Sequence, residues 1–492
     1  MELSRRRVLE GLGVGCLGGL AACAVNPSTG RSAFTAFMSP DEELRVGQEE
    51  HPKLVQSLGG EYLDPDLVAY IGDIGRSVAR TSEMPNLPYT FTVLNSPIVN
   101  AMALPGGHIY ITRGLIAIAN NEAELAGVLA HEIGHVTARH TAERYSQAML
   151  ANIGLTALGI AGSLAGIGGI ADVAQFGASA YLQGFSRDQE LEADTLGVRY
   201  MSRAGYDNRA MVEFLSTLRQ HDIVNAHMSG RAESEVDEFN MMATHPRSAE
   251  RVRHAIQSAQ ATPLPNPRIG RKEYLDHVNG LVFGSDSSQG VIKGNRFVHP
   301  TLRFEFTVPP GFKLINGDKN VTARHQGGTS IVFDIGRNPG NGPMATYLQS
   351  DWGGKLKFSG VETITVDGRD AATGSTRVSA SGKTYDVRLV AISGPDTRVY
   401  RFTFLMPQNE TARLAEDLKR TTYSLRQLTA EEASRVAPQR VMVVTVRPDD
   451  SPGRLAAGLP FGKFNEEWFR LLNDLRPGEL PPAGTEVKVI GG

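Results

Sequence analysis

The chain has 492 residues, more than one hydrophobic core normally supports, so we expect two to four domains of roughly 150 residues each. Its charge is almost balanced, with 50 basic against 53 acidic side chains. Because this balance produces no field of a single sign, the composition excludes nucleic acid as an expected partner.

The first residues have the pattern of an export signal. Arg5-Arg6-Arg7 leads into a charge-free stretch over residues 11–22, which is too short to span a bilayer but has the length of a signal-peptide core. The paired arginines resemble a twin-arginine signal. Leu20-Ala21-Ala22-Cys23 resembles a bacterial lipobox, in which the cysteine thiol takes a diacylglycerol before cleavage. We expect a signal peptide over residues 1–22 and lipidation of Cys23; in the alternative interpretation Cys23 is a small apolar residue of the signal.

The other cysteine, Cys16, lies within the expected signal, and the chain has no third one. The mature protein can then hold no internal disulfide and no thiolate metal site. Any metal must be bound by histidines and carboxylates.

A His-Glu-x-x-His motif at residues 131–135 has the spacing of a zinc-binding helix. Residues four apart share one helix face, so His131 and His135 can present imidazoles to one ion while Glu132 reaches the water bound to it. Asn121 and Glu124, three residues further on, are typical of a capping box, which predicts a helix here. Gly134 costs helix stability and therefore indicates close packing.

A catalytic zinc site needs a third protein ligand. Position 141, where a metzincin would have its third histidine, is Thr141, and His140 points away from the ligand face of a continuing helix. Glu190 is the better candidate, with Glu192 as the alternative ligand. Two histidines and one glutamate leave the fourth zinc position to water, as a catalytic site requires.

A second helix is predicted around Glu190. Ser186 and Gln189 are typical of a capping box at its start, and Gly205 is typical of its end. Asp194 shares a face with Glu190, so it can accept a hydrogen bond from a ligand imidazole.

Residues 148–171 carry no charge and are long enough to span a membrane, but six glycines lower their helix propensity. The sequence leaves two interpretations open, a membrane span or a buried or membrane-apposed hairpin beside the active site.

We place a domain boundary at Pro263, Pro265 and Pro267, because proline can neither continue a helix nor join a central strand. The hydrophobic pattern of the chain changes after these residues. We expect a β-rich domain over residues 270–428, closed by a helix across 411–425. Apolar and polar residues alternate there with the period of half-buried strands, at 302–308, 330–335, 371–380 and 398–404.

The last segment follows a linker at residues 431–439. It has the pattern of a strand at 441–446, a helix at 466–473 and a final strand ending near Val489. Phe469-Arg470-Leu471-Leu472-Asn473 and the residues after it resemble a LysM-type module. We expect a small LysM-like α/β module over residues 438–492, which would contact peptidoglycan.

Three motifs together resemble one family. Residues 131–135, residues 190–194 and the strand-like Asn100-Ala101-Met102-Ala103-Leu104 are similar to the HtpX and CAAX-prenyl-endopeptidase family of zinc metallopeptidases, in its periplasmic, BepA-like branch. The similarity covers roughly residues 27–258. His245-Pro246 with Arg251 matches a further motif of that family.

The resemblance implies an α+β chain that begins with a mainly helical gluzincin-type metallopeptidase domain over residues 24–262, with an edge-strand sheet. It implies that one Zn²⁺ is bound per chain, and that His245 and Arg251 enter the active site, where His245 contacts the zinc or steadies the oxyanion. An ordinary loop histidine before proline is the alternative for His245. The missing aspartate after Cys23 implies the periplasmic face of the outer membrane.

The leading hypothesis is a lipid-anchored zinc metalloendopeptidase for unfolded or misfolded envelope proteins. Glu132 would act as general base, the zinc with His245 or Arg251 would hold the developing oxyanion, and residues 100–104 would pair with an extended substrate as an added strand. An anchored chaperone or scaffold with little proteolysis is a second hypothesis, and a cell-wall amidase is a third.

Overall fold

The computed structural model describes residues 23–30, 32–35, 38–147, 184–228, 233, 251, 254, 257, 264–317, 320–354, 356–380 and 383–492. The predicted signal peptide, the charge-free segment at residues 148–171 and His245 lie outside these residues. By its internal contacts the chain divides into two compact units, one formed by residues 1–283 with 440–491 and the other by residues 284–439 with Gly492.

The first unit is mainly helical up to residue 283, as the sequence predicted. Its helices begin at side-chain caps, for example Ser39, whose hydroxyl accepts a hydrogen bond from the Glu42 amide in a capping box. The helices of this stretch are α1 Pro40–Ser57, α2 Pro65–Ala79, α3 Arg113–Ile118, α4 Glu122–Thr137, α5 Arg187–Arg203, α6 Ala210–Met228 and α7 Arg271–Val278. Its strands are β1 Cys23–Val25, β2 Ser32–Phe34, β3 Thr90–Leu94, β4 Ala101–Leu104, β5 His108–Thr112 and β6 Val282–Phe283.

A three-stranded sheet lies beside the central helix α4. Its order is β3-β5-β4, with β5 parallel to β3 and antiparallel to β4, so β4 is an edge strand. Gly106 and Gly107 in the turn from β4 to β5 have φ angles of 81° and 89°, a region that glycine tolerates best. The strand predicted at residues 100–104 is therefore a strand at a sheet edge, as expected.

The second unit is β-rich, which confirms the alternation seen in the sequence. Its strands are β7 Val291–Lys293, β8 Arg296–His299, β9 Phe304–Thr307, β10 Lys313–Asn316, β11 Val321–Arg324, β12 Ser330–Arg337, β13 Gly360–Val366, β14 Arg369–Ala380, β15 Lys383–Ser393, β16 Arg398–Pro407 and β17 Arg426–Gln427. They form a seven-stranded antiparallel sheet in the order β10-β11-β12-β16-β15-β14-β13 and a four-stranded sheet in the order β17-β9-β8-β7. The helices of this unit are α8 Met344–Thr346, α9 Gln408–Tyr423 and α10 Ala430–Ser434.

Phenylalanines fill the core between these two sheets. Phe304 and Phe306 of β9 contact Phe333 of β12, with ring centroids 5.4 and 4.7 Å apart. The helix predicted at residues 411–425 is α9, and it buries Leu414 and Leu418 in the same core.

The C-terminal stretch packs with the first unit. It contains β18 Gln439–Thr445, α11 Pro452–Ala456, α12 Asn465–Asn473 and β19 Glu486–Gly491. The three-stranded sheet β19-β18-β6 joins it to β6 at Val282–Phe283. Phe469 and Leu472 of α12 lie in one continuous apolar core with residues of α2, α4 and α6. About fifty residues build only a marginal core of their own, which accounts for this shared packing.

Among the described residues, no helix combines the length and the apolar character that crossing a bilayer requires.

Candidate metal centre

Helix α4 presents His131, Glu132 and His135 as the spacing predicted. Its first turn is capped by Asn121, whose side-chain oxygen accepts a hydrogen bond of 2.9 Å from the Glu124 amide. The Glu124 carboxylate accepts a hydrogen bond of 2.8 Å from the backbone amide of Asn120. In a capping box the donor would be the amide of the next residue, Asn121. All three side chains of the motif are buried.

Helix α5 supplies the carboxylates. Ser186 and Gln189 form the predicted capping box at its start, with both reciprocal hydrogen bonds present. This start places Glu190 in the first turn and Asp194 one turn later on the same face. Both acids are fully buried, which requires that their charges be balanced by nearby groups.

Glycines let the two helices approach each other closely. A Cβ atom on Gly134 would lie 3.0 Å from the Ala193 carbonyl oxygen, and one on Gly197 would lie 3.2 Å from the His131 amide nitrogen. Contacts this short leave no room for a side chain at either of these two positions. The close packing predicted from Gly134 is therefore confirmed, and it brings Glu190 to the two imidazoles.

Three side chains converge on one point. His131 Nε2 and His135 Nε2 are 3.1 Å apart; Glu190 Oε2 lies 3.6 Å from the first and Glu190 Oε1 lies 3.5 Å from the second. Tetrahedral zinc with bonds of about 2.0–2.2 Å separates its ligand atoms by roughly 3.3–3.5 Å. The donor set and its spacing thus fit one zinc ion, and in the described part of the chain this is the one such group of three or more His, Cys, Asp or Glu side chains.

The alternative ligand, Glu192, points elsewhere. Its carboxylate lies 3.4 Å from His140 Nε2 and accepts a hydrogen bond of 3.0 Å from the Asn26 amide. The structure therefore groups Glu190, and not Glu192, with the two histidines of the motif.

The outer ring nitrogens of both histidines are also engaged. His131 Nδ1 lies 3.0 Å from Asp194 Oδ1, the contact expected for Asp194, and His135 Nδ1 lies 2.9 Å from His140 Nδ1. Burial lowers the pKa of His135 well below its usual range, so its imidazole is neutral, the form that binds metals.

His140 was missed because the helix was expected to continue past it. Helix α4 ends at Thr137, and Arg139 has a φ of 57°, which reverses the chain and returns His140 to the site. Arg139 itself is bonded to Glu43 at 2.7 Å and to the Met38 carbonyl at 2.9 Å. A local pattern carries little signal for such a reversal by a residue other than glycine.

Arg251 binds both acids of α5. Its Nη1 is 2.5 Å from Glu190 Oε2, while its Nε and Nη2 donate to Asp194 at 2.7 and 2.6 Å. Burial raises the pKa of Asp194, but the charge and hydrogen bonds of Arg251 outweigh this and hold that pKa below its usual value. Arg251 thus lies at the candidate metal centre, where it contacts two carboxylates; its partner in that motif, His245, lies outside the described residues.

An aromatic side chain shields the second histidine. The Phe185 ring stacks on His135 at a centroid distance of 3.9 Å, and the Arg144 guanidinium lies over the same phenylalanine. Burial lowers the pKa of Arg144 to about 10, although the charge of Glu190 opposes this change. These contacts keep water away from one side of the candidate ligands.

A small apolar cavity of about 40 Å³ adjoins His131 and Glu132. Ala101 of the edge strand β4 lines it on one side and Arg251 on another. Its remaining walls are mostly apolar side chains, contributed by Leu115, Val128, Met211, Phe214, Leu215 and Leu218. The strand edge, the candidate metal ligands and an apolar recess therefore meet at one place.

Two imidazoles from one helix, a carboxylate from a second and a glutamate beside the first imidazole define a metal centre of the metallopeptidase class. Residues 65–259 match the family model described as Peptidase family M48, and the chain carries a domain of that family. The resemblance predicted for roughly residues 27–258 is thereby confirmed for this part of the chain.

Two groups of relatives match this region. The chain is 31% identical to the β-barrel assembly-enhancing protease of Yersinia pestis over 51% of this chain and 50% of that protein. It is 30% identical to the mitochondrial metalloendopeptidase OMA1 of Schizosaccharomyces pombe over 46% of this chain and 64% of that protein. The chain thus spans about half the length of the first of these relatives.

The solved structures that match this chain do so with low TM-scores and low sequence identity. LpqN of Mycobacterium tuberculosis, involved in cell envelope biogenesis, matches 26% of this chain and 83% of its own, with 18% identity and a TM-score of 0.22. CyanoP of Synechocystis matches 29% of this chain and 98% of its own, with 13% identity and a TM-score of 0.23.

Proposed function

We propose that the chain is a zinc-dependent metalloendopeptidase that hydrolyses peptide bonds of unfolded or misfolded envelope proteins. The convergence of His131, His135 and Glu190 on one point, with Glu132 next to the first of them, carries this proposal. The family M48 domain supports a peptidase, and the names of the relatives, a β-barrel assembly-enhancing protease and a mitochondrial metalloendopeptidase, support an endopeptidase of the envelope.

The chemistry follows from the positions of the side chains. A zinc ion bound by the three ligands supplies Lewis-acid activation of water and of the substrate carbonyl. Glu132 takes the proton of the attacking water and returns it to the leaving amine. Asp194 holds His131 through Nδ1, and Arg251 balances the charges of Asp194 and Glu190, so both ligands keep their orientation.

Substrate positioning is assigned to the edge strand. We propose that an extended segment of substrate pairs with residues 100–104, which excludes folded proteins because their backbone groups are already paired. Asn100 is held at the start of this edge strand, since its backbone amide donates to the Thr112 hydroxyl and its carbonyl accepts from the same hydroxyl. The oxyanion is assigned to His245, while Arg251 acts by positioning Glu190.

The decisive experiment compares wild type with Glu132→Gln. The variant should bind zinc with unchanged stoichiometry and lose at least roughly a hundredfold in the rate of cleavage of an unfolded protein, because the proton acceptor is gone. Glu49→Gln, at an exposed position of α1, is the matched control and should cleave as wild type does. Full activity of the Glu132→Gln enzyme would remove Glu132 from the mechanism.

Attachment to the envelope is a further part of the proposal. The lipobox supports lipidation of Cys23, and the residue after it, Ala24, supports the periplasmic face of the outer membrane. A Cys23→Ser variant should incorporate no radiolabelled fatty acid and should leave the membrane fraction. Labelling that survives the substitution would exclude Cys23 as the acceptor.

Contact with peptidoglycan is proposed for the C-terminal stretch on its LysM-like pattern. Four of the five residues of that pattern, Phe469, Leu471, Leu472 and Asn473, are buried, so the exposed residues around the pattern would form the contact. Retention of the full chain on purified cell-wall sacculi, compared with retention on cellulose, measures this contact. Equal retention on both would exclude it.

A further inference from the structure

His140 connects a candidate zinc ligand to a carboxylate. Its Nδ1 lies 2.9 Å from His135 Nδ1, and its Nε2 lies 3.4 Å from Glu192 Oε2. Both histidines are buried, His135 completely, so water does not compete for these bonds. The other histidine of the motif has a simpler arrangement, because His131 meets Asp194 directly.

The chemistry of the imidazole ring determines the direction of these bonds. A metal on His135 Nε2 requires the ring proton on Nδ1, which is then donated to His140 Nδ1. His140 must therefore carry its own proton on Nε2, where the acceptor is the Glu192 carboxylate. A carboxylate only accepts, so the three groups have one consistent arrangement, and it is the one that metal binding needs.

Asn26 completes this chain of contacts from the N-terminal segment. Its side-chain amide donates to Glu192 at 3.0 Å and to the Ala138 carbonyl, just after α4, at 3.1 Å. Its side-chain oxygen accepts from the Ser28 amide at 2.8 Å, and the residue is buried. Asn26 follows the predicted lipidation site by three residues, so the turn next to the proposed anchor is bonded to the metal site.

We infer that His140 and Glu192 are positioning residues, which hold His135 in the tautomer and orientation that bind zinc, and that Asn26 holds Glu192 in place. The inference rests on the zinc centre of the proposed function. It assigns roles to residues that touch neither substrate nor metal. It also makes the N-terminal segment a part of the metal site, joined to it by hydrogen bonds.

The test measures zinc affinity of the full chain by competition with a chromogenic chelator. His140→Phe and Glu192→Ala should each weaken zinc binding by roughly 10- to 100-fold, the usual cost of losing such a partner. His140→Gln should recover part of the loss, since its amide can accept from His135 and donate to Glu192. Asp188→Asn, exposed at the start of the same helix as Glu192, is the matched control and should bind zinc as wild type does.

Cobalt(II) substitution separates positioning from general destabilisation. The visible absorption bands of the cobalt protein report ligand geometry, so they should change for His140→Phe and not for Asp188→Asn. A His140→Phe protein with unchanged zinc affinity and an unchanged cobalt spectrum would overturn the inference. If His140→Phe does not fold, the same two measurements on His140→Gln and Glu192→Ala decide, with the same outcomes.

The role of Asn26 is tested by a double-mutant cycle. Asn26→Ala should weaken zinc binding in the wild-type background and have no further effect in the Glu192→Ala background, because its action passes through Glu192. Equal effects in both backgrounds would exclude that route. The proposed hydrolase fails separately: if wild type binds zinc, and these variants bind it less tightly, but wild type cleaves no protein, the positioning inference stands and the protease does not.

Discussion

Arg251 and Glu190 form a buried ion pair of 2.5 Å at the candidate zinc site, and the same guanidinium is bonded to Asp194. A cation shared by two buried acids permits both to remain charged. The pair therefore joins Arg251 to helix α5, which supplies the third candidate ligand.

Arg251→Met should destabilise the metal-free protein by about 3–5 kcal/mol, since removing one partner leaves buried charges without compensation. The measurement is unfolding in urea, monitored by hydrogen exchange of the backbone amides of α5. Arg76→Gln is the control, because Arg76 pairs with Asp73 at the surface and its loss should cost less than about 1 kcal/mol. Equal losses for the two variants would contradict a special role for Arg251.

The apolar cavity beside Glu132 should determine which bonds are cleaved. At about 40 Å³ it accepts a small apolar side chain next to the scissile bond and excludes an aromatic one. Phe214→Ala removes one wall, so kcat/KM for a phenylalanine peptide relative to its alanine counterpart should rise by roughly tenfold or more. Phe464→Ala, whose side chain does not line the cavity, should leave that ratio unchanged.

Lys488 should stabilise the end of α3 from the C-terminal strand. Its Nζ is completely buried and donates to the Ala117 carbonyl at 3.0 Å, to the Ala119 carbonyl and to the Tyr274 hydroxyl at 2.9 Å. Burial lowers the pKa of this lysine well below its usual value, whereas the charge of Glu124 raises it.

Lys488→Met removes the bonds that Nζ donates, although the Ala119 carbonyl still accepts from the Tyr274 hydroxyl, and should cost about 1–3 kcal/mol for each buried acceptor that is left unsatisfied. Thermal unfolding by calorimetry measures the loss. Lys463→Met, at an exposed lysine of the same stretch, should change the midpoint little. A chain truncated before residue 440 should fail to give soluble protein, because it exposes the core that residues 440–491 share with α2, α4 and α6.

His299 should make the β-rich unit sensitive to acid. Burial lowers its pKa to about 4, while the unfolded chain has the ordinary value near 6.5. The unfolded state therefore binds the proton first as the pH falls. The contribution of His299 to the free energy of unfolding is fully present above about pH 6.5 and is lost towards pH 4, by up to about 3 kcal/mol.

Hydrogen exchange of β9, residues Phe304–Thr307, at pH 7 and pH 4.5 measures this loss of stability. His299→Asn should flatten the pH dependence. If wild type and variant lose protection in parallel, the acid sensitivity belongs to other groups.

Local patterns were sufficient wherever a functional residue and its neighbours lie within one helix. The four-residue spacing of His131 and His135 and the capping box before Glu190 follow from the 3.6-residue period, so both helices and the three candidate ligands were predicted. Four strands of the β-rich unit, β9, β12, β14 and β16, were predicted in the same way, from a period of two residues. Their order was not, because β16 lies between β12 and β15 and no local pattern encodes that neighbourhood.

The tertiary structure decided what depends on residues far apart in the sequence. Asn26 reaches Glu192, Arg251 reaches Glu190 and Lys488 reaches Ala117, each through a contact that leaves no periodic mark in the chain. His140 returned to the site because Arg139 adopts a left-handed conformation held by its bonds to Glu43 and Met38. The amino-acid sequence alone determined which atoms can bind a metal, since that depends on residue type and helical period. Which groups orient those atoms depends on packing between distant segments, and packing exists only once the chain has folded.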